Sequence, residues 1–294
     1  MMKNRKLNTY CVLLASVFLT MSCEKMPMGE PAAKEEPANV VMRVSSFEQV
    51  PFATFTRAAE LSDVSTRMNF AIYDETGVRV KQINQKLGDA DYGVVRLMLA
   101  EGSYSIAAVA HSSNGNPTMT DVNKIKFTNA QGYTDTFSYF GTFVVGEEGV
   151  EKQLPLTRVV AKIRFMVDEP IPVGTTQIQF YYTGGAGTYS AVTGYGTVQS
   201  KQTTNIDVTG SEREFEIYTI PHAERDTLEV KVTTHNANTD VLTEKTIVDI
   251  PIQRNRITIC HGSLFDEAAA GSRSNSFTVT VDDTWLSDDL THDF

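Results

Sequence analysis

The sequence is poor in the residues that staple, ligate and stack. Its 294 positions hold three cysteines, five histidines and one tryptophan. Cys11, Cys23 and Cys260 are too few and too far apart for a disulfide scaffold, so stability has to come from buried cores. His111, His222, His235, His261 and His292 include no pair at zinc-ligand spacing. A lone Trp285 is too little for an aromatic platform that stacks sugars and suits a plug at the end of a sandwich better. Positive charge is also short: 26 Lys and Arg against 36 Asp and Glu leave a net −10, which argues against a nucleic-acid partner held by phosphate neutralisation. No apolar run approaches the ~20 residues of a membrane-spanning helix. No window of twelve or more residues keeps a 3.6-residue period. The short stretch Asp266–Gly271 is the best helical candidate. What is present, 41% hydrophobic and 21% charged residues, is the composition of a globular chain.

The first 22 residues read as a signal peptide. Lys3, Arg5 and Lys6 precede an uncharged apolar run from Tyr10 to Leu19, and Thr20-Met21-Ser22-Cys23 follows. A run of about 7–15 apolar residues is the length of a secretory signal. A small residue placed directly before a cysteine, as Ser22 is before Cys23, resembles the bacterial lipobox. That resemblance implies cleavage between Ser22 and Cys23 and acylation of Cys23. Residues 23–38, rich in Pro, Ala and Glu, read as a flexible tether too polar to pack.

From residue 39 onward the period is two. Leu228, Val230 and Val232 alternate with Glu229, Lys231 and Thr233, and Phe277, Val279 and Val281 with Thr278, Thr280 and Asp282. Val159, Ala161, Ile163, Phe165 and Val167 form one stripe, with Lys162 and Arg164 on its other face. Val95, Leu97 and Leu99 run into Glu101-Gly102, and Tyr104, Ile106 and Ala108 resume beyond, as in a hairpin. Such patterns predict antiparallel sheets solvated on one face. One sandwich takes about 100 residues, so the expected fold is all-β with two tandem antiparallel β-sandwiches. The boundary is placed at about residue 154, which gives domains at 39–154 and 155–294.

Chemical equipment is scarce. The glycine-rich stretch Thr183–Ser190 lacks the Gly-Lys-Ser/Thr of a phosphate loop and reads as a turn between strands. Cys260 and His261 are adjacent on a predicted strand, so they point to opposite faces and cannot act as nucleophile and base. No Gly-x-Ser-x-Gly elbow occurs. The acidic C-terminus, with Asp282-Asp283, Asp288-Asp289 and Asp293, lacks the alternation and Gly turn of a calcium loop. The expectation is a non-enzymatic protein with no cofactor, no metal and no small-molecule substrate.

The order of segments resembles the Bacteroidetes fimbrillin superfamily, most of all its FimB-type fimbrial anchor branch. The resemblance is carried by Cys23, by the segments 39–50 (NVVMRVSSFEQV), 54–60 (TFTRAAE), 68–80 (MNFAIYDETGVRV) and 102–110 (GSYSIAAVA), and in the second half by 156–165 (LTRVVAKIRF), 253–265 (QRNRITICHGSLF) and 277–285 (FTVTVDDTW). It implies transthyretin-like sandwiches, a lipid anchor in the outer membrane at the base of a fimbrium, fimbrial shaft subunits as partners, and assembly by β-strand exchange. In such exchange the C-terminal strand is the candidate donor, with Phe277, Val279 and Val281 as the side chains entering the partner. Shaft members are cut after an arginine that follows their first strand. Arg57-Ala58 matches that place here, with Arg67 a poorer match. The same residues also fit a polymerising shaft or tip fimbrillin cut after Arg57. A polysaccharide-binding surface lipoprotein would be expected to carry more tryptophan.

Overall fold

The computed structural model of the chain describes residues 37–47, 64–127, 132–265 and 278–282, and every named element among them is a β-strand. The first half contributes β1 (Val40–Phe47), β2 (Arg67–Asp74), β3 (Arg79–Lys86), β4 (Val94–Leu97), β5 (Gly102–His111), β6 (Ile125–Lys126), β7 (Phe137–Val145) and β8 (Val150–Arg158). Two layers, β3-β2-β5-β7 and β8-β1-β4, meet at a corner where β7 and β8 share only the pairs Phe137↔Arg158 and Ser138↔Thr157. Between the layers Val40, Met42, Leu154 and Leu156 pack on Phe70, Ile72, Ile106 and Phe143.

The second half contributes β9 (Ala161–Val167), β10 (Thr175–Thr183), β11 (Ala186–Tyr189), β12 (Gly196–Gln199), β13 (Gln202–Asp207), β14 (Glu214–Thr219), β15 (Asp226–Asn236), β16 (Val241–Ile252), β17 (Ile257–Gly262) and β18 (Thr278–Asp282). Its layers are β13-β10-β15-β16 and β14-β9-β17-β18. Ile163, Phe165, Ile217 and Cys260 face Phe180, Tyr182, Val230 and Ile250, and the rings of Phe165 and Phe180 stack with centroids 5.1 Å apart.

The second sandwich repeats the first. Strands β1, β2, β3, β4, β5, β7 and β8 correspond in order to β9, β10, β13, β14, β15, β16 and β17, with the same neighbours and the same directions wherever both halves form a ladder. Each half adds an insertion, β6 in the first and β11–β12 in the second. These join as a three-stranded sheet, with Thr188↔Lys126 and Tyr189↔Ile125 in register. Under it lies a further core in which Met119, Tyr133, Tyr189, Ile220 and Ile257 gather with Tyr73 and Val109.

The all-β sandwich architecture is the one expected from the sequence, and the structure adds three details to it. First, β1/β8 and β9/β17 are parallel. Each pair is the first and last strand of its seven-strand set, so a long crossover rather than a hairpin joins them. Second, β2 and β5 are covered on both faces, Phe70 and Ile106 in one core and Ala71 and Val109 in the other. Third, residue 154 falls inside β8, and the chain crosses between sandwiches at Val159-Val160. Pro155 looks like a breaker, but its nitrogen faces away from β1, where no ladder hydrogen bond is required.

Candidate functional site

The candidate site of strand exchange consists of the first strand and the last. Ser22, Cys23, Arg57, Ala58, Phe277 and Trp285 lie outside the described residues, as do the signal peptide, nearly all of the tether and the Asp266–Gly271 stretch.

The first strand is central rather than peripheral. β1 pairs with β4 on one side and β8 on the other, so both rows of its backbone groups are used. Val40 and Met42 are fully buried and Val44 packs beside them. A bulge between Val44 and Ser46 then advances the phase by one residue. Phe47 is thereby returned to the core face and sits edge-on to Phe137 at 5.0 Å. The even-numbered stripe from Val40 to Val44 and the odd-numbered Phe47 thus belong to one buried face.

The last strand is peripheral. Among the described residues β18 pairs only with β17, Val279 opposite Cys260 and Val281 opposite Thr258. The amide of Lys162 bonds the carbonyl of Arg256, so Thr258 and Cys260 direct their backbone groups at β9. Ile257, Ile259 and His261 therefore direct theirs at β18. The equivalent edge of β8 differs. Val150 donates to Asn39 at 2.7 Å, which turns the alternate residues Glu151, Gln153 and Pro155 outward. Further along this side Val159 donates to Thr136 at 3.0 Å, and Lys152 Nζ reaches the carbonyl of Thr142 on β7. A proline has no amide to offer, so this edge is blunted.

The residues weighed for chemistry are held in structural roles. Cys260 is buried in the second core and its thiol is pushed up to about 12 by desolvation, far from a reactive thiolate. His261 is exposed on the opposite face and lies 3.0 Å from Asp168. His111 is buried, accepts from the amide of Ser113 at Nδ1 and donates from Nε2 to Asn69 Oδ1 at 2.8 Å. Burial, helped by Arg67, lowers its pKa from 6.5 to about 4, so the ring is neutral. In the glycine-rich stretch a Cβ on Gly184 would stand 2.6 Å from the carbonyl of Thr227, and one on Gly185 would collide with Thr219. Those glycines permit close packing. A polar depression of about 530 Å³ beside them is lined by Lys201, Asp226, Glu229 and Asp249 and has no aromatic wall.

Three functional-looking positions escaped the sequence reading. Arg158 is fully buried, forks onto Asp135 at 2.7 and 3.0 Å, donates to Asn255 Oδ1 at 2.8 Å and lies 4.6 Å over the Phe137 ring. An arginine amid the apolar residues around Leu156 and Val159 was the available signal. Asn39 and Glu169, which hold backbone at the two ends of the fold, carry no signature in sequence.

The model of a family of unknown function matches residues 33–293. Similar solved structures include a candidate adhesin of Bacteroides thetaiotaomicron, 14% identical, with a TM-score of 0.50 over 85% of this chain and 98% of that one. A candidate adhesin of Bacteroides ovatus is 13% identical, with a TM-score of 0.49 over 72% and 83%. The fimbrial anchor protein Mfa2 of Porphyromonas gingivalis is 12% identical, with a TM-score of 0.42 over 84% and 97%. At these identities the likeness is one of fold. No curated protein sequence matches the chain.

Proposed function

We propose that this chain, which belongs to DUF6562, a family of unknown function, is a lipid-anchored structural subunit of a surface fimbrium. In this reading Cys23 carries acyl chains in the outer membrane, residues 23–38 form the tether, and the folded part joins fimbrial shaft subunits by strand addition. The observation that carries the reading is β18, an eighth strand that, among the described residues, is paired on one side and has no counterpart in the first sandwich. Strand addition satisfies edge amides and carbonyls and places alternate side chains in a partner's pockets. Phe277, Val279 and Val281 are the side chains this role would use. The role calls for no catalysis, and the buried Cys260 thiol suits it.

Anchor is favoured over shaft because β1 is built into the core. Cleavage after Arg57 would free β1, and each buried side chain lost, Val40 and Met42 among them, costs about 1.5–3 kcal/mol. The uncut chain keeps strand, tether and lipid in one piece. The test is fractionation of cells making the wild-type protein and Cys23→Ala, with the N-terminal residue of each determined. The expected result is a membrane-bound wild type starting at Cys23 and a folded, soluble variant. A variant that stays on membranes after a salt wash would sink the anchor. A mature chain starting at Ala58 would instead make this a polymerising shaft or tip fimbrillin.

A further inference from the structure

Tension on a tethered subunit runs along the chain, and the parallel pairs lie across its path. The chain comes into β1 at Val40, which sits beside Val150, and leaves β8 at Arg158, just past the Phe47↔Leu156 pair. A pull between those two points drags β1 and β8 lengthwise past each other. Every hydrogen bond of the ladder is then strained together. Had the strands been antiparallel and joined by a hairpin, the same pull would open the bonds one after another. The second sandwich repeats the arrangement. The chain comes into β9 at Ala161 and leaves β17 at Gly262, with Lys162 beside Ile257 and Val167 beside Gly262.

Both ends of this path are pinned. Asn39 donates from its backbone to Leu97 and accepts from Val150, while its side-chain amide donates to the carbonyl of Leu99 at 2.7 Å and accepts from the Leu99 amide at 2.9 Å. Gly149 lets the two backbones approach, since a Cβ there would collide with the carbonyl of Asn39. Arg158, with Asp135 and Asn255, fixes the point where the chain passes from one sandwich to the next. At the far end Glu169 Oε1 accepts from the amides of both Leu264 and Phe265.

We infer that the protein is a mechanical connector, with β1/β8 and β9/β17 acting as two shear clamps in series between its N-terminal tether and its C-terminal strand. The inference rests on the proposed attachment at both ends. β18 is outside the clamps. It runs antiparallel to β17 with Asp282 beside Ile257, at the end where β9 starts, so a pull on the C-terminus peels it pair by pair.

The test is single-molecule stretching of the mature chain at constant force. Handles at the two termini of a Cys23→Ser protein should give a brief early lengthening as β18 peels. Two long-lived steps of roughly 300–400 Å each should follow, the contour length of one sandwich. Moving the second handle to a Glu148→Cys thiol places both pulling points at the Val40/Val150 end, where β1 and β8 unzip. At the same force the first sandwich should then open about tenfold faster or more, since forced unfolding reads the barrier for the loaded geometry. Equal lifetimes in the two geometries, or unravelling without long-lived steps in the end-to-end geometry, would overturn the inference. Neither outcome depends on the lipid, so cell fractionation judges the anchor separately.

Discussion

In the first sandwich the outer edge of β8 meets a corner of β7 and then Pro155, whereas in the second the equivalent edge of β17 carries β18. Strand order and direction are otherwise repeated, and so is the central place of β1 and β9. The capacity to hold an additional strand therefore does not follow from the topology. It depends on which backbone groups one strand turns outward and whether each is an amide. The insertions differ too, yet β6 and β11 pair with one another, so the two copies share a sheet that neither could build alone.

Removing the joint between the copies should have the largest effect. Arg158→Ala would leave Asp135 and Asn255 without the guanidinium between them. Loss of one partner of a buried ion pair costs about 3–5 kcal/mol, and Asp135, 28% exposed, places this case near the lower end. Urea unfolding should show that loss and a transition split into two, one for each sandwich. A single transition at the wild-type midpoint would mean that the joint does not couple them.

Acid should separate the halves next. The folded first sandwich holds His111 neutral with its pKa near 4, while the unfolded chain titrates near 6.5. Between those values the unfolded state binds more protons, so stability is full above about 6.5 and falls as pH drops toward 4. The total is up to about 3 kcal/mol at 1.36 kcal/mol for each pKa unit. Urea midpoints taken from pH 7 to 4.5 should fall for the wild type and fall less for His111→Gln. Parallel slopes would remove His111 as the cause.

Smaller effects address the edges themselves. Truncation after Arg273 removes β18 and should leave a folded protein in which the amides of Ile259 and His261 exchange quickly. The amides of Thr258 and Cys260, bonded to β9, should stay protected. Uniform exchange along β17 would show that β18 belongs to the core of its own sheet. Smallest in stability is Pro155→Thr, expected within about 0.5 kcal/mol of wild type. Its consequence is association, because β8 gains an outward amide, and sedimentation at rising concentration should show dimers absent from the wild type.

Much of this fold is written in the alternation of single strands. The stripe from Ala161 to Val167 lies in the second core, while Lys162 and Arg164 on its other face share Glu216. Alternation reports which side of a strand is apolar, and that is local. It does not report what covers the other side, so double burial at Ala71 and Val109 was not legible. The phase change at Ser45 was equally hidden, since a bulge requires only a tolerant residue. The repeat is invisible in sequence because equivalent strands differ even in burial pattern, β2 being buried along nearly its whole length and β10 at alternate positions. β6 and β11 are two and four residues long and pair across more than sixty positions, which no local window can reveal. Of the site, Val279 and Val281 lie on β18, whereas Phe277 and the lipid and cleavage positions lie outside the described residues.

The burial of Cys260 has a practical and a biological side. Any alkylating reagent must wait until β17 leaves the second core, so its rate of labelling is a stopwatch for that opening, with no engineered probe required. Under the proposed export to the cell surface the same concealment is a safeguard. A thiol carried into an oxidising compartment invites mixed disulfides with its neighbours. Cys260 is shielded once folding is complete, which leaves the window before folding as the time when crosslinking threatens.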